Sequence, residues 1–520
     1  MCGVAKTVSI STRWMNGCGV GLLLLMTGCA VMPVPLTEAE IQQRVKGDLA
    51  QLAEWQEPVS RPITLYEAMA RALKYNLETR VEVLKEMVEH RQLDLAHYDL
   101  LPKVVADAAY NGRSNYAGSQ SRSLLSGRTS LEPSTSSDRN VFTTNLTLSW
   151  DMLDFGLSYV RAEQAANDVL VAEEDKRRVA NRVIQDVRGS FWKAVSAERV
   201  LGRLGFLDGW VGKALSEVQT IKAKRLDSPL ALLQYERDLL GAQREIQQLS
   251  QELSLARVHL AELMNLEPGE PFELQISDSH HVNVPLPGQL EELEQRALMN
   301  RPELRKVDYQ KRINAKETKA AILELLPNVN MFTGAHYDSN SFLFHNNWIT
   351  YGAKVSWNLL NVFRHPARKQ VIEAQDQVLD AQSLALTMAI MTQVHVASAQ
   401  YQAALQDVQM AGRYFDTQEK ITDHLNRVWS VNGTNEHQVI REKVQSLVAE
   451  LRYESAKAKV ELAYANVLAA IGEDPFPTDI TSDNLEELSQ ALEERWEWLQ
   501  REEVFARLTQ VTPTAEVRLP

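Results

Sequence analysis

Residues 141–150 read VFTTNLTLSW, and their side chains alternate between two faces. Phe142, Leu146, Leu148 and Trp150 share one face with Thr144, whereas the other face carries threonine, asparagine and serine. A period of two residues predicts a β-strand with one apolar and one polar side. Similar alternation occurs in 329–337, in 349–357 and, more weakly, in 103–110. These lengths suit tilted transmembrane strands, but a soluble sheet with one wet face has the same pattern, so both possibilities stay open.

The chain also contains an internal repeat, which indicates one structural unit that occurs twice. Two blocks recur at constant offsets, 225 positions for the first block and 207 for the second. The matching pairs include Leu101-Pro102 with Leu326-Pro327 and Ser149-Trp150 with Ser356-Trp357. The difference of 18 residues falls in the serine-rich segment 111–140, which predicts a long exposed loop in the first copy.

The repeat and the flanking segments define the expected domain organisation. A proline-rich linker at 281–288 separates the two copies, and an acidic segment with tryptophan follows the second copy. We expect this last segment to be helical from Asp483 onward. The resulting divisions are a signal peptide (1–28), an N-terminal segment (29–63), the first copy (64–280), the second copy (281–478) and an acidic C-terminal tail (479–520).

Two stretches predict very long helices. Residues 157–224 comprise 68 residues without proline, equivalent to about 100 Å of helix, and 364–430 is the corresponding stretch of the second copy. After the first stretch, a heptad repeat runs through 230–264 and predicts a coiled coil. Its main seam consists of Leu232, Leu239, Ile246, Leu253 and Leu260.

The helix lengths predict how each long helix is matched by a return path. We expect 229–264 and 289–326, with 36 and 38 residues, to lie end to end beside the long helix of the first copy. In the second copy, 436–471 and 64–101 have the same two lengths. These lengths are consistent with a hollow or bundled cylinder about 100 Å long that is joined to a small sheet at one end.

The first 28 residues have the features of a secretory signal. Lys6 and Arg13 precede an apolar segment with four leucines that is too short to span a bilayer comfortably. The segment ends in Met-Thr-Gly-Cys at 26–29 and resembles a bacterial lipoprotein signal, which implies lipidation of Cys29. An ordinary signal with an incidental cysteine is the alternative. Cys29 would be the one cysteine of the mature chain, so no disulfide is expected within it.

Charge and motifs argue against nucleic-acid binding and against catalysis. The formal net charge is −13, which offers no electrostatic grip on a phosphate backbone. The sequence contains no zinc-binding, Cys-x-x-Cys or Walker-type motif, and its histidines are scattered. We therefore expect no catalytic residues, no metal site and no cofactor apart from the covalent lipid.

The strand count bears on the assembly. Four strands are too few to close a barrel, and open sheet edges are not tolerated in hydrocarbon. If the strands lie in a membrane, several chains must each contribute four of them. Twelve strands from three chains is the favoured count, and eight or sixteen are compatible with the same reasoning.

The order of these elements resembles the TolC-like outer-membrane efflux and secretion ducts. The resemblance rests on the duplicated order of Leu-Pro, strand, hairpin, strand and long helix over 64–472, with WDMLDFG at 150–156 and WSVNGT at 429–434. It implies a mainly α protein with an internal duplication, whose long coiled-coil helices form a periplasmic α-barrel. It further implies a homotrimer that shares a 12-stranded transmembrane β-barrel. A lipidated start is typical of the multidrug and metal efflux branch of this family.

The resemblance also suggests functional residues at the helical turns. In the family, inward carboxylates form a constriction at the closed end of the tunnel, and Glu442 matches one of these positions, whereas Val439 occupies the other. Glu436 and Asp227 are further candidates, and a solvated surface charge is the alternative for all three. The turns would contact an adaptor protein, unless their sequences merely suit a turn: they contain Arg225, Leu226 and Ser228 in the first copy and Val431, Gly433 and Thr434 in the second.

The function implied by the resemblance is that of a passive exit duct for small molecules such as drugs or metal ions. The duct would sit in the outer membrane, anchored by lipid, extend into the periplasm and dock on an adaptor and an inner-membrane transporter. Two alternatives remain at this stage. One is a duct for type I protein secretion, and the other is a periplasmic coiled-coil lipoprotein with a structural role. A lipid-anchored enzyme is the least favoured class.

Overall fold

The computed structural model describes residues 35–54, 56–130, 132–224, 229–267, 269–275, 286, 288–432, 436–473 and 484–500. The chain divides into two compact units, one ending at Glu57 and the other beginning at Pro58. In the first unit, helix α1 spans Glu38–Glu54. A reciprocal capping box starts it, because Glu40 N donates to Thr37 Oγ1 at 3.3 Å and Thr37 N donates to Glu40 Oε2 at 2.7 Å.

The helices of the second unit form two sets of equal lengths. The first set is α2 (Leu65–Tyr75, 11 residues), α3 (Leu77–Tyr98, 22), α4 (Met152–Lys224, 73) and α5 (Pro229–Leu263, 35). The second set is α6 (Leu290–Asn300, 11 residues), α7 (Pro302–Leu323, 22), α8 (Leu360–Asn432, 73) and α9 (Glu436–Ala470, 35). The predicted long helices are confirmed, and both begin slightly earlier than predicted. None of the helices in the described ranges combines the length and hydropathy needed to cross a membrane.

The four predicted strands are confirmed, and they form one antiparallel sheet. They are β1 (Lys103–Gly112), β4 (Asn140–Asp151), β5 (Asn328–Asp338) and β6 (Asn347–Ser356), in the order β1-β4-β5-β6. The loop predicted between the first two contains a small hairpin, β2 (Gly118–Ser119) with β3 (Ser134–Thr135). Strand β4 continues directly into α4, where Asp151 Oδ1 accepts from Asp154 N at 3.0 Å and caps the helix.

The sequence predicts one continuous helix in 64–101 and another in 289–326, and both predictions are wrong. Each is divided into an 11-residue and a 22-residue helix, at Asn76 and at Arg301. Asn76 leaves the helical conformation because its side chain accepts from Glu78 N and Thr79 N and caps α3. Arg301 precedes Pro302, whose ring disfavours the helical conformation of the residue before it.

The expected pairing of helices along the return path is also wrong. The end of α5 meets the start of α3, since Asn76 Nδ2 donates to Leu263 O at 3.2 Å. The end of α9 meets the start of α7, since Arg301 Nη1 donates to Ala469 O at 3.0 Å. Both α5 and α3 pack on α4, and both α9 and α7 pack on α4 and α8. The neighbouring long helices therefore decide which ends meet.

The last helix, α10 (Leu485–Gln500), confirms the helix expected from Asp483 onward and packs on the rest of the unit. Leu485, Leu488 and Leu492 belong to a core cluster formed largely by the first set of helices. Trp496, one turn further on, belongs to a cluster formed largely by the second set. Helix α10 therefore joins the two apolar cores.

Candidate functional site

The sheet has two chemically different faces. Residues directly opposite each other in the register share a face, and successive residues along a strand alternate between faces. The apolar face is largely exposed in the single chain, with Ile349 72% and Tyr351 85% exposed. Its larger side chains are Val104, Tyr110, Phe142, Leu146, Leu148, Trp150, Val329, Met331, Tyr337, Ile349, Tyr351 and Val355. Its amphipathic pattern is the one that a sheet between hydrocarbon and water requires.

The opposite face of the sheet is mainly polar, although Val105, Phe332 and Trp348 also lie on it. It carries Asp107, Asn145, Thr147, His336 and Thr350 in its central rows. Strands β1 and β6 are the two outer strands, and the outer edge of each is unpaired within the part of the chain that the structure describes. A long exposed edge is a template for pairing with another strand.

Matching turns lie at the two helix joints, which are the places where the end of α5 meets α3 and the end of α9 meets α7. At the end of α5, Leu266 N donates to Ala261 O at 2.8 Å, and at the end of α9, Glu473 N donates to Leu468 O at 3.1 Å. Both are Schellman turns, and each contains one residue with positive φ: Asn265 at 59° and Gly472 at 74°. All these positions correspond at the offset of 207.

Most of the predicted turn residues lie outside the described residues, and so does the predicted lipidation site, Cys29. The turn residues concerned are Arg225, Leu226, Asp227, Ser228, Gly433 and Thr434. Val431 lies in the last turn of α8, and Glu436 is the first residue of α9. Val431, which was predicted to lie in the second turn, is therefore helical, and Glu436 begins the helix that follows this turn.

Glu442 is a partly buried residue and not a freely solvated charge. Its side chain is 16% exposed and lies between α9 and α8. Gln418 Nε2 donates to Glu442 Oε2 at 2.7 Å, and Arg441 Nε lies 3.6 Å from Glu442 Oε1. Thr422 Oγ1 lies 3.2 Å from Glu442 O. Polar groups of α8 therefore fix both the carboxylate and the backbone at this point.

Sequence reasoning missed a buried cation where α10 meets α4. Arg188 is 2% exposed, and its guanidinium carbon lies 3.4 Å from the ring centroid of Trp496. Its three nitrogen atoms have no hydrogen-bond acceptor among the residues that are described. Burial lowers the pKa of Arg188, and the charge of buried Glu461 opposes this shift. Trp496 also packs edge-on against Tyr464, with ring centroids 5.8 Å apart.

Burial around this cation also affects the neighbouring tyrosines. It raises the pKa of Tyr66 to about 12, with the charge of Arg188 acting in the opposite direction. It raises the pKa of Tyr464 further still. Both phenols therefore stay neutral at physiological pH, and the cluster carries charge only on Arg188 and the acidic side chains. The stacking of Trp496 on Arg188 was indicated in the sequence only by the presence of tryptophan in the acidic tail.

Comparisons with known proteins place the fold. No protein-family model matches the chain, and no curated protein matches it. The Campylobacter jejuni CmeC outer membrane channel aligns with a TM-score of 0.62 and 14% identity, covering 84% of this chain and 94% of that one. The open Neisseria gonorrhoeae MtrE outer membrane channel aligns with a TM-score of 0.58 and 17% identity, covering 78% and 88%. CusC, a protein that forms a transmembrane channel, aligns with a TM-score of 0.59 and 16% identity, covering 81% of this chain and 96% of that one.

The chain therefore has the fold of these outer-membrane channels, as the TolC-like order of elements predicts. These alignments span 88% to 96% of the neighbours' own lengths.

Proposed function

We propose that the chain is the outer-membrane channel of a tripartite export system and a passive exit duct for small molecules such as drugs or metal ions. The observation that carries the proposal is the open, two-faced sheet of four strands that continues into two 73-residue helices. A sheet with one apolar face and two unpaired edges is stable in a bilayer only if other strands close it. The fold shared with solved outer-membrane channels supports the same conclusion.

Three copies would supply the missing strands. In this arrangement β6 of one chain pairs with β1 of the next, and twelve antiparallel strands form a closed barrel with the apolar faces toward lipid. The long helices of the three chains would enclose a periplasmic tunnel. The equal helix lengths and the matching Schellman turns support an internal duplication with copies at 64–280 and 281–478.

The end of the tunnel would contact the other components. We propose that the turns between α4 and α5 and between α8 and α9 dock on a periplasmic adaptor, which connects the duct to an inner-membrane transporter. The turn residues include Arg225, Leu226, Ser228, Val431, Gly433 and Thr434. The same end would hold the constriction, with Glu442 as the first candidate and Glu436 and Asp227 as further candidates.

The assembly is tested by the native mass of the protein extracted from outer membranes in mild detergent. We expect three copies per particle, and we expect Cys29→Ala to lose lipid labelling while remaining a trimer in the outer membrane. The reason is that the barrel, with its large apolar surface, would be a much stronger anchor than one lipidated residue. A detergent-independent monomer would contradict the duct and indicate a periplasmic coiled-coil protein instead.

The constriction is tested by Glu442→Gln, which keeps the shape of the side chain and removes its charge. We expect the preference of the channel for cations over anions to fall by about two-fold in planar bilayers, because a fixed charge in a narrow pore acts at short range. The amide can still accept the hydrogen bond from Gln418.

Glu419→Gln is the matched control for this change. Glu419 is an exposed residue of α8, next in sequence to the buried Gln418. We expect its channel to behave as the unmodified one. Equal selectivity in the Glu442→Gln, Glu419→Gln and unmodified channels would exclude Glu442 from the constriction while leaving the duct itself intact.

A further inference from the structure

A connected row of side chains crosses all four strands on the polar face of the sheet. Asn145 Nδ2 on β4 donates to Asp107 Oδ2 on β1 at 2.6 Å. His336 Nδ1 on β5 lies 2.7 Å from Asn145 Oδ1, and its Nε2 lies 2.6 Å from Thr350 Oγ1 on β6. We name these four residues, Asp107, Asn145, His336 and Thr350, the polar belt.

The donors and acceptors of the polar belt determine where its protons lie. Because Asn145 uses its amide nitrogen toward Asp107, its oxygen faces His336 and requires a proton on Nδ1. In a neutral ring, Nε2 then accepts from the Thr350 hydroxyl, and in a charged ring Nε2 donates to the same oxygen atom. The imidazole can therefore be neutral or charged while it keeps both hydrogen-bond partners.

The surroundings hold the imidazole in this position. Trp348 on β6 stacks on it, with ring centroids 5.7 Å apart and an interplanar angle of 20°. Gly334 leaves the space through which the ring reaches Thr350, since a Cβ at this position would lie 3.0 Å from His336 Nε2 and 3.2 Å from Thr147 Oγ1. A stacked ring, two hydrogen bonds and a glycine cradle fix one orientation.

We propose that the polar belt is a charge-selecting ring in the lumen of the channel. The inference rests on the proposed function, because the polar face borders an aqueous lumen only if three sheets close into a barrel. Each chain would then contribute the carboxylate of Asp107, which favours cations, and the imidazole of His336, whose charge opposes that preference when it is protonated. The belt would thereby admit solutes according to charge, and its preference would depend on pH.

Other charged groups on this face set the background for the polar belt. Histidine is the side chain whose charge ordinarily changes between pH 5 and 8, whereas carboxylates and lysine ammonium groups ordinarily keep theirs over most of that range. The belt therefore supplies the pH-dependent part of the lumenal charge. The remaining charged side chains that share the polar face are Lys103 on β1, Asp151 on β4, Asp338 on β5 and Lys354 on β6.

The experiment measures reversal potentials across planar bilayers in KCl gradients. At 0.1 M salt we expect Asp107→Asn to lower the cation-to-anion permeability ratio by about two-fold, with little change at 1 M, because the screening length falls from about 10 Å to about 3 Å. We expect the ratio of the unmodified channel to fall as the pH decreases from 8 to 5.5. His336→Gln should lose most of this fall and keep the ratio measured at pH 8.

His345→Gln is the matched control, because it makes the same change in the exposed loop between β5 and β6, outside the polar belt. It should keep the full pH dependence, and native electrophoresis should show that all variants remain trimers. If channels form but His336→Gln and His345→Gln have the same pH dependence, the proposed pH-dependent selection by the polar belt is wrong and the duct stands. The absence of channels would overturn the proposed function and the belt together.

Discussion

Replacing Arg188 with alanine should lower the stability of the folded chain by about 3 kcal/mol, equivalent to several degrees in melting temperature. The change removes a guanidinium that is stacked on Trp496, and it leaves a cavity between α4 and α10. It also deprives the buried carboxylate of Glu461 of a nearby positive charge. Thermal unfolding followed by circular dichroism would report the loss.

Local release of α10 gives a second readout for the same variant. Trypsin should cleave faster after Arg495, a helix residue one position before Trp496, because the helix end separates from the core more often. Arg188→Lys keeps the charge but not the planar stacking surface. Its stability and its cleavage rate should lie between those of the unmodified protein and those of Arg188→Ala. Arg91→Ala is the matched control, since the Arg91 side chain is 78% exposed and pairs only with Asp94 among the ion pairs described. Equal stability of Arg188→Ala and Arg91→Ala would show that the stacked cation is not a structural element.

Replacing Gly472 with alanine should lower the free energy of unfolding by about 2 to 4 kcal/mol. Gly472 has a φ of 74°, which side chains rarely adopt, and an added Cβ would lie 2.9 Å from Asn300 C and 3.0 Å from Arg301 N. These are backbone atoms of the adjoining helix start, so they cannot move aside as a side chain could. The prediction is checked by thermal unfolding of the purified protein.

Asn265 provides the matched comparison, because it occupies the corresponding turn of the first copy with a φ of 59°. Asn265→Gly should be neutral or slightly stabilising, since glycine adopts positive φ without strain. Asn265→Ala should show only the conformational cost, about 1 kcal/mol. If Gly472→Ala loses no more stability than Asn265→Ala, the close approach of the two helix ends does not add to the loss of stability.

The strands and long helices could be predicted because each has a periodic pattern imposed by its surroundings. Strand β4 alternates since its two faces meet different environments, and α5 carries heptads because it packs along another helix. The break at Arg301 could have been predicted from the Arg-Pro sequence, but the break at Asn76 could not, because helix formers continue on both sides. Pairing of the return helices could not follow from length, since the segments of 36 and 38 residues give the same total in either combination.

The candidate sites were less accessible to sequence reasoning because they depend on contacts between distant positions. Gln418 is 24 residues from Glu442, and no helical pattern shows that its amide fixes that carboxylate. His336 lies 191 residues from Asn145, and a lone histidine in a strand carries no sign of such a partner. Trp496, which stacks on Arg188, belongs to a helix far along the sequence, and neither residue alone predicts this contact.

The two helix joints determine when the chain can complete its fold. The hydrogen bond from Asn76 to Leu263 closes a loop of 187 residues, and the one from Arg301 to Ala469 closes a loop of 168. Contacts at such separation form late, because loop-closure entropy must be overcome before they contribute. Helix α10 follows both copies in the sequence and joins both cores. The helices are therefore packed together only after both copies have been made, so the apolar face of the sheet must be kept from aggregation until then.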